Sequence, residues 1–298
     1  MPSSSDKKIT VIGAGIVGIC CACYLQRSGF EVTLVDREEP ALQTSFGNAG
    51  GISPGSVTPL GMPGIWKQIP RWLLDDNAPL VIKGHYLPKA LPWLTRFALQ
   101  SRTSRVRHIS KALAALNSPT FDAYQPLLED AALTQLFHRS GQLFLYRNRK
   151  DMEKDTLTHE LRSESGAPIE FLNSDEIREI EPAITPIFEA GYLMSDNGHC
   201  KDPFGLASGL VQMFVNKGGR LVKVDVLDFI FDADGVCGLL TSGAVINTRK
   251  VVIAAGIWSK TLCERIGLPI PLVSHRGYHA TIQNSNVSLK HMCFPVDY

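Results

Sequence analysis

The pattern that most restricts what this chain can fold into is G-x-G-x-x-G at Gly13, Gly15 and Gly18. Residues 8–12 read as a short buried strand ahead of it, residues 16–27 as a helix behind it, and residues 30–35 as a second apolar strand ending at Asp36. Such a β-α-β unit implies a parallel sheet with a right-handed crossover. Each glycine has a physical task. Gly13 allows the tight turn, Gly15 lets the backbone approach a pyrophosphate, and Gly18 lets helix and strand pack closely. The helix start supplies free N–H groups and a partial positive charge for the phosphates. Asp36 suits the hydroxyls of an adenosine ribose and disfavours a 2′-phosphate, which argues against NADP. Ile16 and Val17 inside the motif, with Ile12 and Arg37 outside it, are assigned to the same dinucleotide site.

With 298 residues, 44% of them hydrophobic, the chain can bury a sizeable core in one or two domains. The net charge of +1 creates no overall field for nucleic acid or an anionic membrane. Seven cysteines without paired spacing speak against a disulfide framework and for a reducing compartment. Cys20 and Cys23 form a lone C-x-x-C inside the first helix and are read as small packing residues, so no metal is expected. The polar lead at residues 1–8 is not read as a signal segment, and no apolar run is long enough to span a bilayer. The expected location is cytoplasmic.

Further along, residues 38–64 read as a Gly/Pro/Ser/Thr-rich loop, residues 89–99 and 106–128 as helices, residues 142–146 and 190–194 as strands, and residues 151–165 and 175–180 as helices. Asp202 followed by Pro203 announces a helix ending at Gly218-Gly219. Short strands follow at residues 220–224, 226–232, 236–241 and 244–247, then a buried strand at 250–254, a helix at 258–266 and an alternating segment at 272–282. The strand at 250–254 runs into Ala254, Ala255 and Gly256, small residues that let a ligand pass close to backbone. A dinucleotide fold interrupted and later resumed favours FAD over an ordinary nicotinamide dehydrogenase, which stays as the competing reading.

Four stretches in order carry a resemblance: Val11-Ile-Gly-Ala-Gly-Ile-Val-Gly18, Thr44-Ser-Phe-Gly-Asn-Ala-Gly-Gly-Ile-Ser-Pro-Gly55, Val251-Val-Ile-Ala-Ala-Gly-Ile-Trp-Ser259 and Arg276-Gly-Tyr278. The chain resembles the D-amino-acid oxidase superfamily of FAD-dependent oxidoreductases, and within it the bacterial D-amino-acid dehydrogenase small subunits. The resemblance implies an α/β fold with a discontinuous Rossmann-like FAD-binding domain, residues 1–85 and 195–265. It adds a second, α+β substrate domain with a mixed sheet, residues 86–194 and 266–298. Family members are longer, so this domain is expected to be C-terminally incomplete, and an inactive truncated product is one alternative. Ser45, Asn48, Ala49, Gly50, Gly51 and Ile52 would lie against the flavin, Val226 would present backbone to the adenine, and Ala254, Ala255, Gly256 and Trp258 would line the phosphate and ribityl side. Some relatives attach flavin through a His in the 44–50 region, where this chain has Asn48, so non-covalent FAD is implied.

The implied reaction oxidises the C–N bond of a D-amino acid to an imine and then a keto acid, by hydride transfer to flavin N5, with oxygen or a quinone as electron acceptor. Glycine, sarcosine or D-hydroxyproline are alternative substrates. Tyr278 and Arg276 are the candidate substrate residues, since Arg suits a carboxylate. His199, His275 and His279 are noted without an assigned role. Trp66, Trp72, Leu73, Leu74 and Trp93 beside Lys67, Arg71 and Arg96 suit either peripheral contact with the inner face of a membrane or an amphipathic lid or core packing of the substrate domain.

Overall fold

A computed structural model describes residues 7–65, 84–274 and 277–296. In chain order it contains β1 (Lys8–Ile12), α1 (Ile16–Arg27), β2 (Glu31–Asp36), β3 (Gly51–Ile52), α2 (Leu87–Gln100), α3 (Thr103–Asn117), α4 (Thr120–Asp130), β4 (Phe137–His138) and β5 (Gln142–Tyr146). There follow α5 (Arg149–Lys154), α6 (Thr156–Glu164), β6 (Glu170–Asn173), α7 (Ser174–Ile180), β7 (Ala190–Met194), β8 (Gly198–Cys200) and α8 (Pro203–Asn216). The last elements are β9 (Arg220–Lys223), β10 (Val226–Asp232), β11 (Gly235–Thr241), β12 (Ile246–Asn247), β13 (Val251–Ile253), α9 (Ser259–Arg265) and β14 (Met292–Pro295).

The chain forms two compact units. The first comprises residues 1–50, 123–138 and 200–285, the second residues 51–122, 139–199 and 286–298. In the first, an all-parallel sheet runs β13-β1-β2-β9, with Ile12 opposite both Val35 and Ile253. This is the resumed dinucleotide topology, in which β13 returns beside β1 after an antiparallel excursion, β10-β11-β12. Side chains of these strands, Ile12, Val35, Val226 and Leu239, meet Leu262 of α9 in one core. Burying each contributes about 1.5–3 kcal/mol. Helix α1 ends at Ser28, and Gly29 takes the left-handed φ of +86° that the stop requires. Gln26 then donates from Nε2 to the carbonyls of Phe214 and Lys217 at 3.0 and 3.1 Å, satisfying the open end of α8. At the other end of α8, Asp202 accepts from Gly205 N–H at 2.8 Å and Pro203 takes the first helical position.

In the second unit a mixed sheet runs β14-β5-β7-β6, parallel only between β14 and β5. One face carries Leu143, Leu145 and Leu172 against Ile177 of α7. The other carries Tyr146, Tyr192 and Met194 against Met152, Ala167 and Ile169. Beyond the short strands β3, β4, β6 and β8, which the sequence pattern did not show, it differs from the structure in three places. The helix expected over 106–128 is two helices, because Pro119 removes a backbone donor. The helix over 151–165 divides at Asp155, whose carboxylate accepts from the Tyr146 hydroxyl at 3.0 Å. The strand expected over 272–282 is irregular chain where described. Alternation there has no ladder partner, and the strand that does pair, β14, follows it.

Candidate dinucleotide site

The glycine turn divides its tasks between folding and binding. Gly13 has φ +108°, and a Cβ there would lie 2.4 Å from the Ala254 carbonyl oxygen. A Cβ on Gly18 would lie 1.8 Å from the Gly13 carbonyl oxygen. Both positions are therefore closed to any other residue by the protein's own backbone. Gly15 is different. It is extended, at φ −74° and ψ 173°, and a Cβ there meets only Ser45 Oγ, at 3.3 Å. A side chain at 15 would press only on this one hydroxyl, so the backbone there is open to a ligand that approaches from outside. No acidic residue occupies the first turn of α1, so the helix end is left electropositive for an anion.

Around this turn the expected residues come together. Asp36 ends β2 and accepts from Ala14 N–H at 2.6 Å and from Glu38 N–H at 3.0 Å. Its carboxylate thus faces the first turn. Ser45 Oγ accepts from Ile16 N–H at 3.0 Å, filling the cap position that Gly15 cannot. Val17 stands exposed beside it, and Ile12 lies in the core below. The Arg37 guanidinium stacks over the Trp258 ring at 4.2 Å from its centroid, so these two residues share one edge of the site. Ala254 N–H donates to Ile12 O at 2.7 Å, which draws the Ala254-Ala255 backbone against Gly13. Gly256 follows with φ +53° and leads into Trp258. Val226 is a core residue at the start of β10, one strand from the Asp36 carbonyl, which accepts from Val224 N–H at 2.8 Å.

The second motif falls partly in each unit. Asn48 Oδ1 accepts from Gly50 N–H at 2.7 Å, an Asx turn that leaves Asn48 and Ala49 exposed at its tip. Gly50, at φ +77°, abuts the Cys200 carbonyl, where a Cβ would come within 2.3 Å. Gly47, at φ +72°, is covered by the His279 ring, 2.5 Å from where a Cβ would sit. Gly51 and Ile52 belong to the second unit, paired with His199 and Gly198. There a buried amide pair holds the following loop. Gln142 Oε1 accepts from Ser53 Oγ and Asn197 Nδ2 at 2.9 and 3.0 Å, and Asn197 Oδ1 accepts from Gly55 N–H at 3.1 Å. His199 Nδ1 lies 3.0 Å from Ser140 Oγ, a structural contact.

Of the candidate substrate residues, Tyr278 is 90% exposed on irregular chain in the first unit. Arg276 and His275 lie outside the described residues, as do Trp66, Lys67, Arg71, Trp72, Leu73 and Leu74. Among the described residues no group of His, Cys, Asp or Glu could hold a metal ion. Burial pushes the Cys20 thiol up to about 12 and Cys23 to about 11, so both stay protonated packing groups. The sequence reading missed three supports of the site: the Ser45 cap, the His279 ring over Gly47, and Ala41. Ala41 is buried with φ +64° and donates from its N–H to Ala14 O at 2.9 Å. An alanine carries no sequence sign of a left-handed backbone, and no spacing rule joins residue 47 to 279.

The family profile described as FAD dependent oxidoreductase (DAO) matches residues 8–297. A D-amino-acid oxidase of Bradyrhizobium diazoefficiens is 35% identical over 281 residues, covering 93% of this chain and 66% of its own length. A D-amino acid dehydrogenase of the same organism is 28% identical over 94% of this chain and 68% of its own. Among solved structures, glycine oxidase from Geobacillus kaustophilus superposes with a TM-score of 0.63 at 18% identity, over 98% of this chain and 67% of that one. Glycine oxidase from Bacillus cereus does so with a TM-score of 0.58 at 20% identity, over 87% and 57%. The chain thus spans about two thirds of the length of the curated relatives it matches. With the open Gly15 cradle, the Asp36 carboxylate facing it and β13 beside β1, the match over nearly every residue places the chain in the DAO family of FAD-dependent oxidoreductases.

Proposed function

We propose that the chain binds FAD non-covalently and takes part in oxidising the C–N bond of a D-amino acid to an imine, which water converts to a keto acid and ammonia. The observation that carries the binding half is Gly15, where only the Ser45 hydroxyl opposes a side chain and no backbone does. Gly13, Gly15, Ile16, Val17 and Gly18 would receive the pyrophosphate and Asp36 the ribose. Ile12, Arg37, Val226, Ala254, Ala255, Gly256 and Trp258 would frame the ADP half, with Ser45, Asn48, Ala49, Gly50, Gly51 and Ile52 toward the flavin. The FAD, when bound, supplies the hydride acceptor that no side chain provides.

The chain's own part is to bind, orient and exclude water. Arg276 would hold the substrate carboxylate and Tyr278 would fix its orientation. A substrate arriving with a neutral amine needs no strong protein base. D-amino acids lead because the relatives named for them are the ones aligned over 93% and 94% of this chain. Glycine and sarcosine form the second reading, favoured by the superposition with glycine oxidases. Oxygen or a quinone would take the electrons, and peripheral membrane contact belongs to the same proposal. No helix of the described residues is long and apolar enough to cross a membrane. The test is anaerobic bleaching of the flavin band in the FAD-loaded protein. D-alanine or D-proline should bleach it and glycine should not. Bleaching by glycine alone moves the assignment to the second reading, and bleaching by none removes the amine chemistry.

A further inference from the structure

We infer that α2 and α3 of the second unit form a docking face for a bilayer surface carrying anionic phospholipid. The whole-chain charge of +1 conceals a strongly uneven distribution. Residues 77–121 hold seven Lys and Arg and no Asp or Glu. Lys89, Arg96, Arg102, Arg105 and Lys111 are exposed, and among the described residues none pairs with a carboxylate. Arg107 is the exception, tied to Glu160 and Glu164 of α6, which fixes α3 to the unit and leaves the other cations outward.

The same two helices expose large apolar groups. On α2, Leu91 is 57% exposed, Trp93 53% and Leu99 47%, while Leu94 is buried beneath. At 3.6 residues per turn, Leu91 and Leu99 occupy one flank of the outward face and Trp93 the other, with Lys89 and Arg96 between them. The Trp93 ring stacks on Phe97, with centroids 5.0 Å apart, and is held there rather than folded away. On α3, Leu116 stands exposed at the end of the helix that carries Arg105 and Lys111. Surfaces that only meet water intersperse both signs of charge, whereas clustered exposed apolar groups mark interaction sites. Cations without acids beside exposed Trp and Leu match an interface where apolar groups enter the acyl boundary and cations meet phosphate headgroups. Soluble nucleic acid would use the cations and leave the leucines unexplained.

This deepens the membrane contact of the proposed function, and its test reads binding without turnover, so failure here leaves the redox reading standing. The purified protein is sedimented with vesicles of phosphatidylcholine alone and with added phosphatidylglycerol, at low and high salt. Binding is expected only to the anionic vesicles and should weaken with salt. The double variant Lys89→Glu, Arg96→Glu should bind at least about tenfold more weakly. Trp93→Ser should weaken binding several-fold at unchanged salt dependence, with the melting temperature of each variant checked by circular dichroism. Arg105→Glu on α3 is an independent variant should α2 not tolerate reversal. Absence of binding to anionic vesicles overturns the inference, as does wild-type binding by all folded variants. Full competition by heparin with no effect of Trp93→Ser would assign a soluble polyanion and also overturn it.

Discussion

A methyl group added at Gly18 would sit 1.8 Å from the Gly13 carbonyl oxygen, while one added at Gly15 meets nothing nearer than Ser45 Oγ at 3.3 Å. The two substitutions therefore separate folding from binding. Gly18→Ala should cost more than about 4 kcal/mol and leave little folded protein, because backbone must move. Gly15→Ala should cost no more than about 1 kcal/mol yet weaken FAD binding by about 10–100-fold, through lost hydrogen bonds to a charged phosphate. Thermal melting and a fluorescence titration with FAD read the two effects independently. The buried thiols give a second residue-scale outcome. With Cys20 pushed up to about 12 and Cys23 and Cys293 to about 11, none is a thiolate at pH 8. A thiol reagent should label them only after denaturation, and rapid labelling of the native protein at Cys20 would contradict the packing described.

At the scale of elements, charges join helices that strands have already placed. Asp130 at the end of α4 binds Lys217 at 2.8 Å and also Arg27 at the end of α1. These two cations hold its carboxyl below the usual carboxylate range. A depressed folded value means the contribution is present above the unfolded value and lost as pH falls through the folded one. Asp130→Asn should therefore destabilise by under about 1 kcal/mol at neutral pH, with the difference vanishing in strong acid. Denaturant melts at several pH values check this. In the second unit Arg162 is only 6% exposed, donates to the Tyr192 hydroxyl and lies over the Phe144 ring at 4.7 Å. Its Nε has no partner, and Asp155 reaches Tyr146 beside it. Tyr192→Phe would strip the guanidinium of its acceptor and should cost about 1–3 kcal/mol, read as a lowered melting temperature. Such pairings explain why some elements were legible in sequence and others not. Strands at 8–12, 142–146 and 190–194 declared themselves by apolar runs between turn residues. The strand at 292–295 depends on β5, far away in the chain, and the division at Asp155 on the Tyr146 hydroxyl nine residues back, and no apolar periodicity contains either.

For the molecule as a whole, the dinucleotide fold was readable because its signal is local. The three motif glycines, two strands and Asp36 fall within residues 8–36, and the structure sets Asp36 against Ala14. The substrate side was less readable because it rests on single residues such as Tyr278, whose surroundings no spacing rule specifies. The local charge of residues 77–121 was likewise hidden by averaging over the chain. The account stands on the first unit gripping an ADP moiety at the open face of Gly15. Its most direct test is calorimetric titration of the purified protein with FAD, ADP and NADP, alongside Gly15→Val of confirmed fold. The account predicts saturable binding of FAD, competition by ADP, little response to NADP, and loss of all binding in the variant. FAD binding undiminished in Gly15→Val, or no competition between ADP and FAD, would contradict it.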